Sequence, residues 1–239
     1  MTTPAESDAP ATRQDESEEA DALEALVHRR YSCRGFRPDP VPRDIIARIV
    51  RIAGGSASWC NVQPWQLTIV GGRRLAALAE RLSTHARSNA PAPDFDFPLR
   101  YTGPRQARRR ECGLQLYDSV GITREDREAT RRQALENFRF FGAPHAAILT
   151  SHEELGTYGA VDCGAFVSTF LLAARALGVD TIAQAAIASH PDVVREALGL
   201  GAERRVVCAI SLGYADERHP ANSFRTRRAE IDEIATWLD

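Results

Sequence analysis

Arg29-Arg30-Tyr31-Ser32-Cys33-Arg34 sets two guanidinium groups, those of Arg30 and Arg34, four positions apart with a phenol and a hydroxyl between them. Guanidinium groups bind phosphate through paired, charge-assisted hydrogen bonds about twice as strong as neutral ones. Tyr31 and Ser32 add backbone groups and a hydroxyl to the same anion site, and Arg225, Arg227 and Arg228 can return to it from the far end of the chain. A second segment, Ala57-Ser58-Trp59-Cys60-Asn61-Val62-Gln63-Pro64-Trp65, carries the amides of Asn61 and Gln63 on a chain stiffened by Pro64. Such amides recognise the edge of a heterocycle. Together the two segments suit a phosphorylated aromatic cofactor, although each alone also reads as something plainer: a solvated basic run, and a turn entering a strand.

Other site chemistries lack their residues. No G-x-G-x-x-G follows a strand and no G-x-x-x-x-G-K-[ST] occurs, which excludes the dinucleotide fingerprint and the P-loop. The six histidines show no H-x-x-x-H or H-E-x-x-H spacing and none stands at ligand spacing from a cysteine, so no metal site is expected. Five cysteines, an odd number without a C-x-x-C pair, read as reduced thiols. Cys33 and Cys60 flank the two motifs, but neither has a resolving partner beside it, so inert thiols are expected.

Thirty basic against thirty-two acidic residues leave a formal charge of -2, which gives no field for nucleic acid or an anionic membrane surface. Residues 1–20 hold six carboxylates against one arginine and no apolar run, and read as a disordered acidic tail before a single domain over residues 21–239. The same segment has no apolar signal core, and no stretch approaches the ~20 apolar residues that span a bilayer. A cytoplasmic protein is expected.

The elements that must position the motifs follow from periodicity. Leu23, Leu26 and Val27 predict a helix over residues 21–29 that ends where the basic motif begins. A second helix opens after Val41-Pro42 and stops at Gly54-Gly55, and a strand over residues 65–70 leads into a helix over 73–85. Residues 87–104 carry four prolines among Phe95, Phe97 and Tyr101, the composition of a long irregular excursion, and 87–117 read as a lid or substrate loop. Helices are predicted over 106–118, 123–138 and 191–198. Strands are predicted over 145–150 and 205–213, with a short apolar segment over 181–188. Residues 159–177 are apolar and small on nearly all sides, as in a helix enclosed by protein, with a C-cap at Gly178. A polar, basic loop over 222–228 precedes a final helix. Strands alternating with helices imply an α+β or α/β arrangement around one mixed sheet.

Several separated segments carry a resemblance: residues 29–42 and 57–65, then Asn137-Phe138-Arg139-Phe140-Phe141 with Ala143-Pro144, residues 178–186, Ser211-Leu212-Gly213-Tyr214-Ala215 and Asn222-Ser223-Phe224-Arg225-Thr226. In this order they resemble the FMN-dependent nitroreductase family, in particular its nitrobenzoate-type members. The resemblance implies an α+β, nitroreductase-like three-layer α/β/α fold with a central mixed sheet, and an intertwined homodimer with FMN at the subunit interface. It implies that Arg30 binds the phosphate, with Tyr31 beside it, that Ser32 meets the ribityl or phosphate region, and that Arg34 meets the flavin N1/O2 edge. Ala57, Ser58 and Trp59, with Asn61 nearby, would come from the partner chain. Gln184, Ala185 and Ala186 would line the isoalloxazine near N5, and Arg225 would close on the phosphate.

The implied activity is NAD(P)H-dependent reduction of nitroaromatic or quinone-like acceptors by ping-pong hydride transfer through flavin N5, with NADPH or NADH as reductant. No protein acid/base pair is then required, and Arg34 serves electrostatically beside N1. Tyr101 and Tyr117 are candidates to stack on substrate or nicotinamide, and Arg108, with Arg109 and Arg110, to meet a dinucleotide phosphate. Two other readings use the same residues. One is an enzyme of the same fold that fragments its flavin, dehalogenates or dehydrogenates; the other is a non-catalytic flavin-binding protein.

Overall fold

The computed structural model describes the backbone of residues 13–238 and the side chains from residue 17. Its helices are α1 (Arg13–Arg29), α2 (Arg43–Ala53), α3 (Gly72–Ser88), α4 (Gly103–Ser119), α5 (Arg127–Leu135), α6 (Gly156–Ala176), α7 (Pro191–Leu198) and α8 (Ile231–Ile234). Four strands, β1 (Gln66–Gly71), β2 (His145–His152), β3 (Asp180–Gln184) and β4 (Arg204–Gly213), form one sheet in the order β1-β2-β4-β3.

The strands bury both faces, and their period-two alternation divides the core. Ala147, Leu149, Cys208, Ile210 and Leu212 face α2 and α6. Ala146, Ile148, Val206 and Ala209 face α3 and α7. The three-layer arrangement follows from that division. On α6 the buried residues Cys163, Phe166, Phe170, Ala173 and Ala174 recur at helical spacing, and Trp65 stacks on Phe166 with ring centroids 5.2 Å apart. Between Leu149 and Thr150 the β2–β4 register slips and leaves Val207 without a partner, a bulge that turns Val207 towards the α2/α6 side.

Four expectations are corrected. The sheet is antiparallel in every pair of its four strands, and parallel pairing is confined to the isolated bridge between Ser32 and Thr181 on β3. Helix α1 starts at Arg13, so residues 13–20 are helical where a disordered tail was expected, and residues 1–12 lie outside the described residues. The helix expected over 123–138 is α5 alone, followed by a 3-10 segment, Glu136–Gly142, in which Phe140 and Phe141 have φ of 55° and 53°. Helix α6 is long and apolar enough to pass for a membrane span by composition, yet its aromatic face is sunk in the core, and Val161, Gly164 and Ala165 lie exposed on the other side.

The excursion after α3 is tied down at one point. Asp94 accepts hydrogen bonds from the Arg195 guanidinium (2.6 Å) and the Val206 amide (2.7 Å), and Ala92 donates to the Ser189 carbonyl (2.9 Å). Nearby, buried His190 meets His85 at 4.9 Å between ring centroids and Phe138 at 5.5 Å. Burial, with His85 beside it, lowers the pKa of His190 below its ordinary value near 6.5. Burial does the same to His145, whose Nε2 accepts the Val41 amide at 3.1 Å. Both groups take a proton more readily when unfolded. Their contribution to stability is therefore complete above about pH 6.5 and is lost as pH falls through the lower folded values. The urea midpoint should drop between pH 7 and 5, less steeply in His145→Gln, and equal slopes would exclude His145 as a source.

Candidate functional site

The chain leaving α1 runs extended beside the sheet. Ser32 bridges to Thr181, the Cys33 amide donates to the Thr181 carbonyl (3.1 Å), Phe36 bridges to Ala215 and the Arg37 amide donates to the Tyr214 carbonyl (2.8 Å). An extended chain puts alternate residues on opposite sides. Cys33 and Gly35 therefore turn inward and are buried, while Arg30, Ser32 and Arg34 share the other side. The spacing of four in the basic motif is thus two steps along one face.

The segment after β4 closes over this face. Buried Asn222 accepts the Arg34 amide through Oδ1 (2.7 Å) and donates through Nδ2 to the carbonyls of Gly35 (2.8 Å) and Asp216 (2.9 Å). Beyond it, the Arg34 guanidinium donates to the Ser32 carbonyl (3.1 Å) and lies 5.5 Å from the Phe224 ring centroid. Arg225 sits 3.7 Å above the Tyr31 ring and donates to the carbonyls of Asn222 and Phe224, both at 2.8 Å.

Arg30, Arg34, Arg225 and Arg228 converge on a cleft of about 390 Å³ whose apolar wall is Leu171, Leu172 and Phe224. No ion pair among the described residues involves any of the four. Burial, and for Arg30 the neighbouring Arg228, lower the pKa of Arg30; burial also lowers that of Arg34. Charges gathered and partly desolvated without a counter-ion are costly unless an anion completes them. A phosphate at the arginines with a flat ring along the apolar wall fits the cleft, and FMN has that shape and charge. Tyr31 is held neutral, its pKa pushed up to about 12 chiefly by burial.

The other predicted residues fall in three places. Ala57, Ser58, Trp59 and Asn61 do not line this cleft. Their loop lies exposed against the first turns of α6, where the Trp59 amide donates to Asp162 (3.1 Å), with Cys60, Asn61 and Gln63 at φ of 52°, 55° and 49°. Ser58 Oγ accepts the Gln63 amide (3.0 Å), Asn61 Oδ1 accepts from Gln63 Nε2 (3.0 Å), and exposed Trp59 leans on Tyr158 at 4.7 Å. Gln184 is buried: it donates to the Asn137 carbonyl (2.9 Å) and accepts from the Ser211 hydroxyl, so its side chain serves the sheet. Exposed Ala185 and half-buried Ala186 remain beside it. Arg108 is paired with Glu233 at 2.7 Å, which takes up the charge expected for a dinucleotide phosphate. Tyr101 lies 5.3 Å below Arg109, and Tyr117 lines a separate cleft against α5.

All five thiols are free, and burial pushes Cys33 up to about 11 and Cys163 and Cys208 up to about 12, so these three stay protonated. Among the described residues no cluster of His, Cys, Asp and Glu suits a metal. Sequence reasoning passed over Asn222 as a site residue, and Phe224 and the Leu171-Leu172 wall with it. Asn222 sits in the quoted Asn-Ser-Phe-Arg segment, but an isolated buried amide has no periodic signature.

The three-layer fold thus sets an arginine-lined cleft with an apolar wall at the edge of an antiparallel sheet. The chain belongs to the nitroreductase family, whose model matches residues 27–214. It is 36% identical over 222 residues to nitroreductase NfnB of Mycolicibacterium smegmatis, covering 91% of this chain and 93% of that protein. To the 4-nitrobenzoate reductase of Nocardioides sp. it is 33% identical, covering 91% and 90%. Among solved structures, the FMN-dependent NfnB of Mycobacterium smegmatis in complex with NADPH superposes with a TM-score of 0.88 at 33% identity, over 92% of this chain and all of that one.

Proposed function

We propose that this protein is an FMN-dependent oxidoreductase that spends NADPH or NADH on nitroaromatic or quinone-like acceptors. The observation that carries the proposal is the convergence of four arginines without carboxylate partners on one cleft with an apolar wall. FMN, bound there, would supply the redox chemistry of hydride transfer between nicotinamide and acceptor.

The protein's own residues hold, orient and exclude water. Arg30, Arg225 and Arg228 bind the phosphate through charge-assisted hydrogen bonds, and Ser32 offers a hydroxyl on the same face. Leu171, Leu172 and Phe224 keep water from one side of the cleft. Arg34, fixed by its carbonyl contact and by Phe224, places a permanent positive charge where reduction adds negative charge. Replacing it by alanine should lower the midpoint potential of the bound flavin, and an unchanged potential would remove Arg34 from that role.

We also propose that the working form is a cytoplasmic homodimer. Among the large apolar residues the chain exposes are Leu23 and Val27 on α1, Val161 on α6, and Ile231, Ile234, Trp237 and Leu238 at the C-terminal end. Such a spread of apolar surface calls for a second chain to cover it. The outward Trp59 loop then has a use, completing the cleft of the partner rather than its own.

Anaerobic stopped-flow on the purified holoprotein tests the reaction. NADPH or NADH should bleach the flavin, 4-nitrobenzoate should restore the oxidised spectrum, and many cycles should leave the flavin intact. A flavin that neither nucleotide bleaches would mark a binding protein, and one consumed during turnover a fragmenting enzyme.

A further inference from the structure

A larger cleft of about 840 Å³ lies between α4 and the start of α5. Arg109 and Arg110 enter it from α4, and Arg124 and Arg127 from the turn into α5 and its first residue. None of these four takes part in an ion pair among the described residues, and Asp118 is the one acidic residue in the lining. Carboxylates are nonetheless in use close by: Glu233 pairs with Arg108, Glu128 with Arg132 and Glu111 with Arg227. Other exposed arginines are unpaired too, but these four come from two elements to one concavity whose lining holds a single carboxylate. Arginines on a convex helix face are simply solvated, but arginines from two elements facing one hollow add their potentials there and draw an anion in. Tyr117 gives the hollow an aromatic wall, and Arg109 is braced 5.3 Å from the Tyr101 ring.

The hollow adjoins the cofactor cleft, since Cys112 on α4 lines both. A nicotinamide dinucleotide engaged at a flavin has its adenosine end to place elsewhere on the surface. NADPH differs from NADH there by one phosphate monoester, which carries about -1.5 to -2 charges at neutral pH. We propose that the α4/α5 cleft binds the 2′-phosphate of NADPH, and that Arg109, Arg110, Arg124 and Arg127 set a preference for NADPH over NADH. This assignment rests on the chain being a nicotinamide-dependent flavin enzyme. It moves the phosphate site from Arg108, which Glu233 occupies, to the neighbouring arginines and to Arg124 and Arg127 at the entry to α5, which the basic run on α4 does not include. A site built around a charged group discriminates strongly against the analogue lacking it, because its own charges are then left unpaired.

The test uses FMN-loaded protein and follows flavin reduction by each nucleotide. Wild type should show a kcat/KM for NADPH at least tenfold above that for NADH, with 2′,5′-ADP competing against NADPH. The double variant Arg124→Ala/Arg127→Ala should lose most of that ratio through a higher KM for NADPH. Its NADH kinetics, flavin spectrum and thermal midpoint should be unchanged, and 2′,5′-ADP should inhibit it at least tenfold more weakly. Arg109→Ala/Arg110→Ala should act in the same direction. If both nucleotides bleach the flavin but wild type shows no preference, or neither double variant moves the ratio, this assignment falls and the oxidoreductase stands. If neither nucleotide bleaches the flavin, the oxidoreductase reading falls and takes the assignment with it.

Discussion

Arg30→Ala/Arg225→Ala should yield a folded protein that purifies nearly colourless and binds FMN about a thousandfold more weakly than wild type. Hydrogen bonds to charged groups contribute about 1.5–3 kcal/mol each, and about 1.4 kcal/mol is a tenfold change in affinity. Two guanidinium groups lost from one phosphate reach that range even after Arg228 compensates in part. The single variants separate binding from folding. Arg30 gains no counter-ion from the protein and is opposed by Arg228, so Arg30→Ala should leave the apoprotein as stable as wild type or slightly more so. Arg225 caps Tyr31 and holds two carbonyls of its own segment, so Arg225→Ala should lower apoprotein stability by about 1 kcal/mol as well. Fluorescence titration of apoprotein with FMN gives the affinities and urea unfolding the stabilities. A double variant that binds FMN within threefold of wild type would remove the phosphate from this cleft.

The basic motif was legible because its residue types state their chemistry and an extended chain has only two sides. Strand and helix positions were legible for a similar reason: Ala146 to Leu149 and Phe166 to Ala174 are apolar at the period of the element they form. Strand direction was not. A strand buried on both faces, such as β2, looks the same in a parallel or an antiparallel sheet, and helices between strands suggested the mixed case. The start of α1 was hidden differently. Glu18, Glu19 and Glu24 mark solvent, and a helix exposed on all sides carries the same composition as a disordered segment. Arg108 and Gln184 were read by type, but each has its capacity taken by a residue distant in sequence, Glu233 at separation 125 and Asn137 at 47. Local patterns carry no record of such pairings.

Asn222→Ala should cost about 3 kcal/mol of stability and most of the FMN affinity, although the side chain never lines the cleft. Its amide joins three backbone groups, two on adjacent residues 187 and 188 positions upstream and one six positions upstream. The carbonyls of Gly35 and Asp216 keep another donor each, from the Asp216 and His219 amides (2.9 and 3.0 Å). The Arg34 amide has no other acceptor among the described hydrogen bonds. Truncation therefore orphans one partly buried N–H, at about 1–3 kcal/mol, and removes two further bonds at about 0.5–1.5 kcal/mol each. The loss of affinity follows from position: Asn222 supplies the side-chain hydrogen bonds that join Arg34 on one side of the clamp to the segment of Phe224 and Arg225 on the other, beside the Arg34–Phe224 and Arg225–Tyr31 ring contacts. Asn222→Asp separates the contributions, since it keeps the acceptor for Arg34 but turns the donor into an anion facing two carbonyls. It should also be destabilised, and its FMN affinity should fall. Wild-type stability in Asn222→Asp would show that the two donated bonds carry no weight, and wild-type FMN affinity in Asn222→Ala would show that Arg34 and Arg225 find their places without the clamp.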